Sequence, residues 1–379
     1  MRGISPPGLL FALTGAAALA APFLTLAANR IVAGDGMRLW DLGLWLPFAG
    51  LCLGLLAGLS QRWPWVRLLG GAVGLSCLIW ALSQGAVSAL DGAGQYARVS
   101  PAAGFWCLFA IYALLMADAL TQLRPGAVLR LGLLTLAVGV LAGILWSGAL
   151  ADLSISQEYM SRQRPFATAF IRHVQLAFGS LAVAALIGFP LGLWCHRREA
   201  LRRAMLPVLS FLQTIPSLAM FGIMIPLLAW VAASVPGARE IGIAGIGFAP
   251  AFIALILYSL LPVVGNTVAG LDAVPPATAQ AARGMGLSPL QRLWQVEIPL
   301  GLPVLLTGLR IVMVQNIGLA VIAGLIGGGG FGSFVFQGLN QTATDLILLG
   351  ALPTVALALV AAIAMDCLVD LSQPQQRSQ

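Results

Sequence analysis

The chain has 379 residues, of which 59% are hydrophobic and 9% charged, with a mean hydropathy of +0.94, so the water-soluble globular class is excluded and the chain reads as a polytopic membrane protein. A net charge of +7 and a pI near 9.8 invite a nucleic-acid partner, but the arginines are scattered through short loops and read as topology signals, so no nucleic acid is expected. All 20 basic residues are arginine; a G-x4-G-K-[ST] phosphate loop cannot exist without lysine, so any ATP must be bound by another subunit.

The apolar stretches are continuous runs of about 18–25 residues, which predicts an all-α bundle over a transmembrane barrel. They suggest about ten spans, at 8–28, 43–59, 66–83, 103–120, 129–149, 175–195, 207–231, 243–264, 300–324 and 346–369. A short basic start before an apolar run can be a cleaved signal peptide, but the first run, of about twenty residues, is long for a signal core and more spans follow it, so it reads as a transmembrane helix. Pairs with G-x-x-x-G spacing at Gly54/Gly58, Gly139/Gly143 and Gly188/Gly192 mark possible helix-packing faces. The five cysteines, Cys52, Cys77, Cys107, Cys195 and Cys367, show no disulfide or metal spacing, and His173 and His196 flank a span without clustering, so no metal site is expected.

Arginine placement orients the spans. With the N-terminus inside, twelve arginines, Arg2 and Arg377 among them, fall on the cytoplasmic side and seven, including Arg30, on the other. The dense HRREALRR cluster at 196–203 weighs most. Both termini and the polar stretch at 280–299 are then cytoplasmic.

That stretch, QAARGMGLSPLQRLWQVEIP, predicts two short helices with a hinge. Ser288 is a good N-cap, Pro289 suits the first helical position and Gln291 closes a capping box. Gly286 can take the positive φ that ends a first helix running from about Pro275 to Met285, and Pro299 is expected to end the second. Carrying Arg283, Arg292 and the small Ala281 and Ala282, the pair suits insertion into a groove on a partner in the water phase.

Two prolines inside apolar runs, Pro216 and Pro262, should each kink or break a helix, at about 3 kcal/mol of local preference. Gln213, Thr214 and Ser217 sit beside the first; Tyr258, Ser259 and Asn266 surround the second. These groups can line a path through the membrane or serve as polar glue between helices. The glycine run Gly327–Gly330 falls outside the cell on this topology, where flexible backbone fits a gate or a partner contact. Asp366 and Asp370 read as the polar end of the last helix. The aromatic residues of the second half form no tight cluster in sequence.

The spacing Gln280-Ala281-Ala282, three residues, Gly286, nine residues, Val296, Glu297, Ile298, Pro299 resembles the EAA loop of type I ABC-importer permeases, with Gln280 for the usual glutamate and Val296 for the usual isoleucine. The resemblance extends over some 200 residues. The strings QTIPSLA, LYSLLPVVGNT and IAGLIGGGGFGSFVFQGL point within that superfamily to the permeases for quaternary-amine osmoprotectants: glycine betaine, carnitine and choline.

The resemblance implies a five-helix permease core at 165–372, a coupling loop at 275–299, an accessory region of about five helices at 1–150 and a periplasmic connection at 151–174. It implies that Gln280, Ala281, Ala282, Arg283, Gly286, Ser288, Arg292, Ile298 and Pro299 couple to an ATPase. Gln213, Thr214, Pro216, Ser217, Tyr258, Pro262 and Asn266 become candidates for the translocation path. It further implies two nucleotide-binding subunits carrying ATP and Mg, a periplasmic binding protein, and a second permease, giving a heterodimer with a homodimer as the alternative. No cofactor or catalytic residue is expected on this chain, which resembles a transport subunit of the cell inner membrane. Competing readings are a permease for amino acids such as methionine and an ion-coupled secondary transporter; the latter usually shows two related halves and intramembrane charges, which the sequence lacks.

Overall fold

Proline and glycine set most of the element boundaries in the computed structural model, which describes residues 5–29 and 32–372. Arg2, Arg30 and Arg377, and with them both chain ends, lie outside the described residues. Ser5 caps α1 (Pro6–Ala20), its hydroxyl accepting the Gly8 N–H at 3.3 Å with proline in the first turn. The expected helix at 8–28 stops early. Pro22 forces Ala21 into an extended conformation, ψ 159°, and the chain continues as β1 (Leu24–Ala27).

β1 is the centre of a three-stranded antiparallel sheet, between β2 (Asp35–Met37) and β3 (Arg98–Pro101), with Leu24 opposite both Met37 and Pro101. Nothing in the expected all-helical pattern anticipated it. α2 (Trp45–Gly58) has 14 residues and α1 has 15. At 1.5 Å per residue each is about 21–22 Å long, short of a hydrocarbon core of about 30 Å.

The remaining elements, in order, are α3 (Pro64–Leu90), α4 (Ala103–Leu123), α5 (Ala127–Trp146), α6 (Ser154–Ser161), α7 (Gln163–Val174), α8 (Ser180–Arg197), α9 (Glu199–Thr214), α10 (Ser217–Ser234), α11 (Phe248–Asp272), α12 (Pro276–Gly284), α13 (Pro289–Arg292), α14 (Ile298–Ile322), α15 (Gly332–Asn340) and α16 (Thr344–Ser372). A π-helical turn at 175–179 joins α7 to α8, and another at 293–297 joins α13 to α14. Among the described residues eight helical stretches are long and apolar enough to cross a membrane, against the ten expected. Five of them, 163–197, 217–234, 248–272, 289–326 and 344–372, belong to the second half. The run expected as one span at 207–231 is divided between α9 and α10.

Two compact units result: residues up to Leu129 with Thr135–Ser161, and Arg130–Leu134 with Arg162 onward. In the first, Leu51, Leu78, Leu108 and Leu115 are fully buried around Tyr112, whose hydroxyl donates to the Leu51 carbonyl at 2.5 Å. Gly54 and Gly74 leave room for that ring; a Cβ at either would strike it. The fully buried Arg67 of α3 pairs with Asp118 of α4.

In the second unit α11 is the central helix, packed against α8, α9, α10 and α14, and α14 packs in turn on α16. Gly188 and Gly192 let α8 approach α11 so closely that a Cβ would stand 2.6 Å from Val263 or 2.5 Å from Thr267. Two of the three G-x-x-x-G pairs thus lie at helix contacts. Gly139 and Gly143 on α5 face open space, nothing lying within 4 Å of an added Cβ. Asp366 and Asp370 are more than a polar helix end. Asp366 pairs with Arg310 and, at 2.6 Å, with Arg130, which also pairs with Asp370.

Candidate functional site

The polar insert folds as its spacing dictates, from a fixed starting point. Asp272, the last residue of α11, is held by His196 Nδ1 at 2.8 Å and Arg202 Nη1 at 3.0 Å. Two residues of the dense basic cluster, His196 and Arg202, therefore have a structural partner. Four residues later Pro276 opens α12, which buries Ala282 and exposes Gln280, Ala281 and Arg283.

Gly286 ends α12 with φ +82°; its N–H donates to the Arg283 carbonyl at 2.9 Å and that of Leu287 to the Ala282 carbonyl at 3.2 Å. This pairing is the Schellman closure of a helix C-terminus, which needs a left-handed residue at the position of Gly286. Ser288 and Gln291 then form the capping box: Ser288 Oγ accepts the Gln291 N–H at 3.3 Å, and Gln291 Oε1 accepts the Ser288 N–H at 2.9 Å.

Pro299 does not end the second helix. α13, the π turn, α14 and a closing 3-10 turn at 323–326 run on as one stretch of 38 residues, with Pro299 in the first turn of α14. The wider π turn just before it accommodates the ring and the missing N–H. Within that turn Glu297 is nearly buried and accepts from Arg292 Nε at 2.6 Å, pinning the short helix to the long one. Ile298 is half-buried at the join.

Large apolar side chains stand out on this polar insert: Met285 is 73% exposed, Leu290 64% and Trp294 63%. On the same insert a cleft of ≈ 530 Å³ opens, its lining including His196, Arg197, Asp272, Arg283, Arg292 and Glu297.

Deeper in the unit the two prolines act as a pair. Pro216 breaks the chain between α9 and α10, leaving the Ile215 carbonyl outside either helix, with Ile215 extended at ψ 125°. Pro262 does not break α11, which continues to Asp272, but it removes the N–H that would reach the Tyr258 carbonyl. Each orphaned carbonyl is met by a side chain from the other segment. Gln213 Nε2 donates to the Tyr258 carbonyl at 2.8 Å, and the Tyr258 hydroxyl donates to that of Ile215. Asn266 Nδ2 turns back to the Pro262 carbonyl at 2.7 Å. Thr214 donates to the Phe211 carbonyl at 2.7 Å and remains exposed with Pro216, while Ser217 is half-buried.

One polar knot escaped the sequence reading. Asn316 Nδ2 donates to Ser180 Oγ at 2.9 Å and to Ser259 Oγ at 2.8 Å, all three residues being fully buried where α8, α11 and α14 meet. Two adjacent amides, Gln315 and Asn316, inside the apolar run IVMVQNIGLAV were the available signal. The aromatic residues gather more than their sequence positions implied: the Phe331 ring lies 5.3 Å from Phe166, 6.1 Å from Phe170 and 5.0 Å from the His173 ring. Phe331 and His173 are fully buried, so this is a packed cluster and not an open cage. Against it the glycine run forms a defined turn, Gly327, Gly329 and Gly330 all having φ between +76° and +83°.

The comparisons with known proteins divide near the same place as the chain. Residues 5–156 match the model for the N-terminal domain of the ABC transporter permease YehY, and residues 184–378 match that for the inner membrane component of binding-protein-dependent transport systems. The osmoprotectant import permease protein OsmW of Salmonella typhimurium is 40% identical over 50% of this chain and 83% of its own length. The carnitine transport permease protein OpuCB of Listeria monocytogenes is 36% identical over 51% of this chain and 82% of its own. An inward-facing structure of the MetNI methionine ABC transporter has a similar fold over 56% of this chain and 99% of the matched chain, with a TM-score of 0.50 and 20% identity.

Proposed function

The chain belongs to the family of binding-protein-dependent transport system inner membrane components, and we propose that it is the permease of an importer for a small quaternary-amine osmoprotectant such as glycine betaine, carnitine or choline. The observation that carries the substrate class is the identity of 36–40% to osmoprotectant and carnitine permeases across four-fifths of their length. The chain crosses the inner membrane with both termini and the 275–299 insert in the cytoplasm. Two nucleotide-binding subunits hold ATP and Mg, a periplasmic binding protein delivers the substrate, and a second permease completes a heterodimeric path.

In this reading the nucleotide-binding subunit receives the face formed by Gln280, Ala281, Arg283, Met285, Leu290 and Trp294. Support comes from exposed apolar side chains on an insert whose turn at Gly286 and second helix are capped from within, a combination that favours a protein partner. Closure of the ATP-bound subunits moves the insert, and α11 and α14, which flank it, carry the motion to the core. Gln213, Tyr258 and Asn266, which bridge the carbonyls at the two proline positions, are the candidate path residues in this reading. Substrate recognition rests chiefly with the binding protein, since the aromatic cluster is packed shut.

The test is reconstitution of the permeases with the nucleotide-binding subunit and binding protein in liposomes, with radiolabelled glycine betaine, carnitine, choline and methionine offered in turn. ATP-dependent uptake of a quaternary amine is expected. Uptake of methionine alone would move the substrate to the amino-acid class, and uptake driven by an ion gradient without ATP would overturn the reading.

A further inference from the structure

The cleft beneath the insert has an unbalanced charge. Both carboxylates that line it are already engaged, Asp272 by His196 and Arg202 and Glu297 by Arg292. No aspartate or glutamate occurs between them in the sequence, where Gln280 takes the place at which the EAA pattern carries its acid. Arg197 and Arg283 both line this cleft, are exposed, and have no carboxylate within salt-bridge distance among the described residues. Two exposed guanidiniums at a polar cleft whose own acids are already paired leave its charge unbalanced toward the positive.

The neighbouring surface says what kind of anion belongs there. Met285, Leu290 and Trp294 are exposed on the same insert, and a free phosphate gains nothing from apolar side chains. A protein that buries them while offering a carboxylate satisfies both features. We infer that this cleft receives an aspartate or glutamate side chain of the nucleotide-binding subunit, held between Arg283 of the insert and Arg197 at the end of α8.

The inference rests on the proposed function and extends it beyond the insert: the subunit grips α8 directly as well as the α12–α13 pair. Arg197 is the last residue of α8, whose other end carries Ser180 of the buried polar knot. Such a contact also sets partner choice, because a subunit with a basic groove would be repelled.

The experiment measures affinity of the purified nucleotide-binding subunit for the full-length permease assembly in lipid nanodiscs, at low and high salt. Arg197→Glu and Arg283→Glu are each expected to weaken binding about tenfold at low salt and to flatten its salt dependence. Arg198→Glu, exposed next to Arg197 but outside the cleft, should stay within about twofold. Reversing the matching acid on the subunit to arginine should restore binding to Arg197→Glu.

Wild-type affinity in Arg197→Glu overturns the inference, as does an equal loss in Arg198→Glu, which would indicate diffuse attraction. Loss of binding to phosphatidylglycerol vesicles with subunit affinity intact would assign the cleft to lipid instead. If the wild-type assembly binds no nucleotide-binding subunit at all, the transport reading itself fails, a result distinct from any of these.

Discussion

Replacing Gly286 tests the coupling insert through backbone conformation alone. Its φ is +82°, yet a Cβ built there meets nothing within 4 Å. The cost of a side chain is therefore conformational and carries no steric part. For alanine the left-handed region costs about 1–2 kcal/mol, which lowers the fraction of inserts holding the Schellman turn by roughly 5–30-fold where that turn is marginal. Asparagine tolerates the region better, and valine, β-branched, tolerates it worst. Uptake and ATPase stimulation in proteoliposomes should fall in the order Gly, Asn, Ala, Val, with membrane insertion unchanged. Asparagine as damaging as valine would show that volume governs the position, and full activity in valine would refute the hinge altogether.

Gln213→Leu strands the Tyr258 carbonyl and Tyr258→Phe strands that of Ile215, so each should lower stability by about 1–3 kcal/mol, read as a drop in the thermal midpoint in detergent. An unchanged midpoint in both would count against the clasp. Arg292→Met or Glu297→Gln alone leaves a nearly buried partner uncompensated and should cost up to about 3–5 kcal/mol, while the double apolar variant Arg292→Met/Glu297→Leu should recover much of it. Denaturation of the three variants distinguishes this from a mere surface pair, in which all would behave alike. Asn316→Leu leaves Ser180 and Ser259 without their shared partner and should destabilise by about 1–3 kcal/mol, whereas Asn316→Ser should cost less; equal losses would indicate a volume effect.

What the sequence revealed depended on how local the cause was. Ser288, Pro289 and Gln291 make their capping box from neighbours alone, and Gly286 needs only its own φ, so both were readable in advance. Pro299 misled because its effect depends on the turn before it: a π turn absorbs the ring and the helix continues. Pro22 escaped notice inside an apolar run, although one proline and its restricted predecessor suffice to turn an expected span into a short helix and a strand. Pairings over long sequence separation were out of reach. Asp272 with His196, Asp366 with Arg310, and Asn316 with Ser180 are set by which helices become neighbours, information that a hydropathy pattern does not hold.

Long-range ties at Asp272, Tyr258 and Ser259 all fall on α11 and give the proposed mechanism its rigid part. Asp272 at one end of this helix is tied to α8 and α9 through His196 and Arg202. Fourteen residues away, about 21 Å along the axis, Tyr258 is tied to the α9–α10 break, and Ser259 beside it to α14 through Asn316. In the proposed mechanism α11 moves as one piece, since its interior proline, Pro262, leaves the helix unbroken and the carbonyl it frees is bridged by Gln213. The compliant joints are elsewhere, at Gly286 and at the break beside Pro216, where the backbone leaves the helical region. In the proposed mechanism motion entering at the first joint is carried by α11 to the second, where Gln213 and Tyr258 tie the helix to the break beside Pro216.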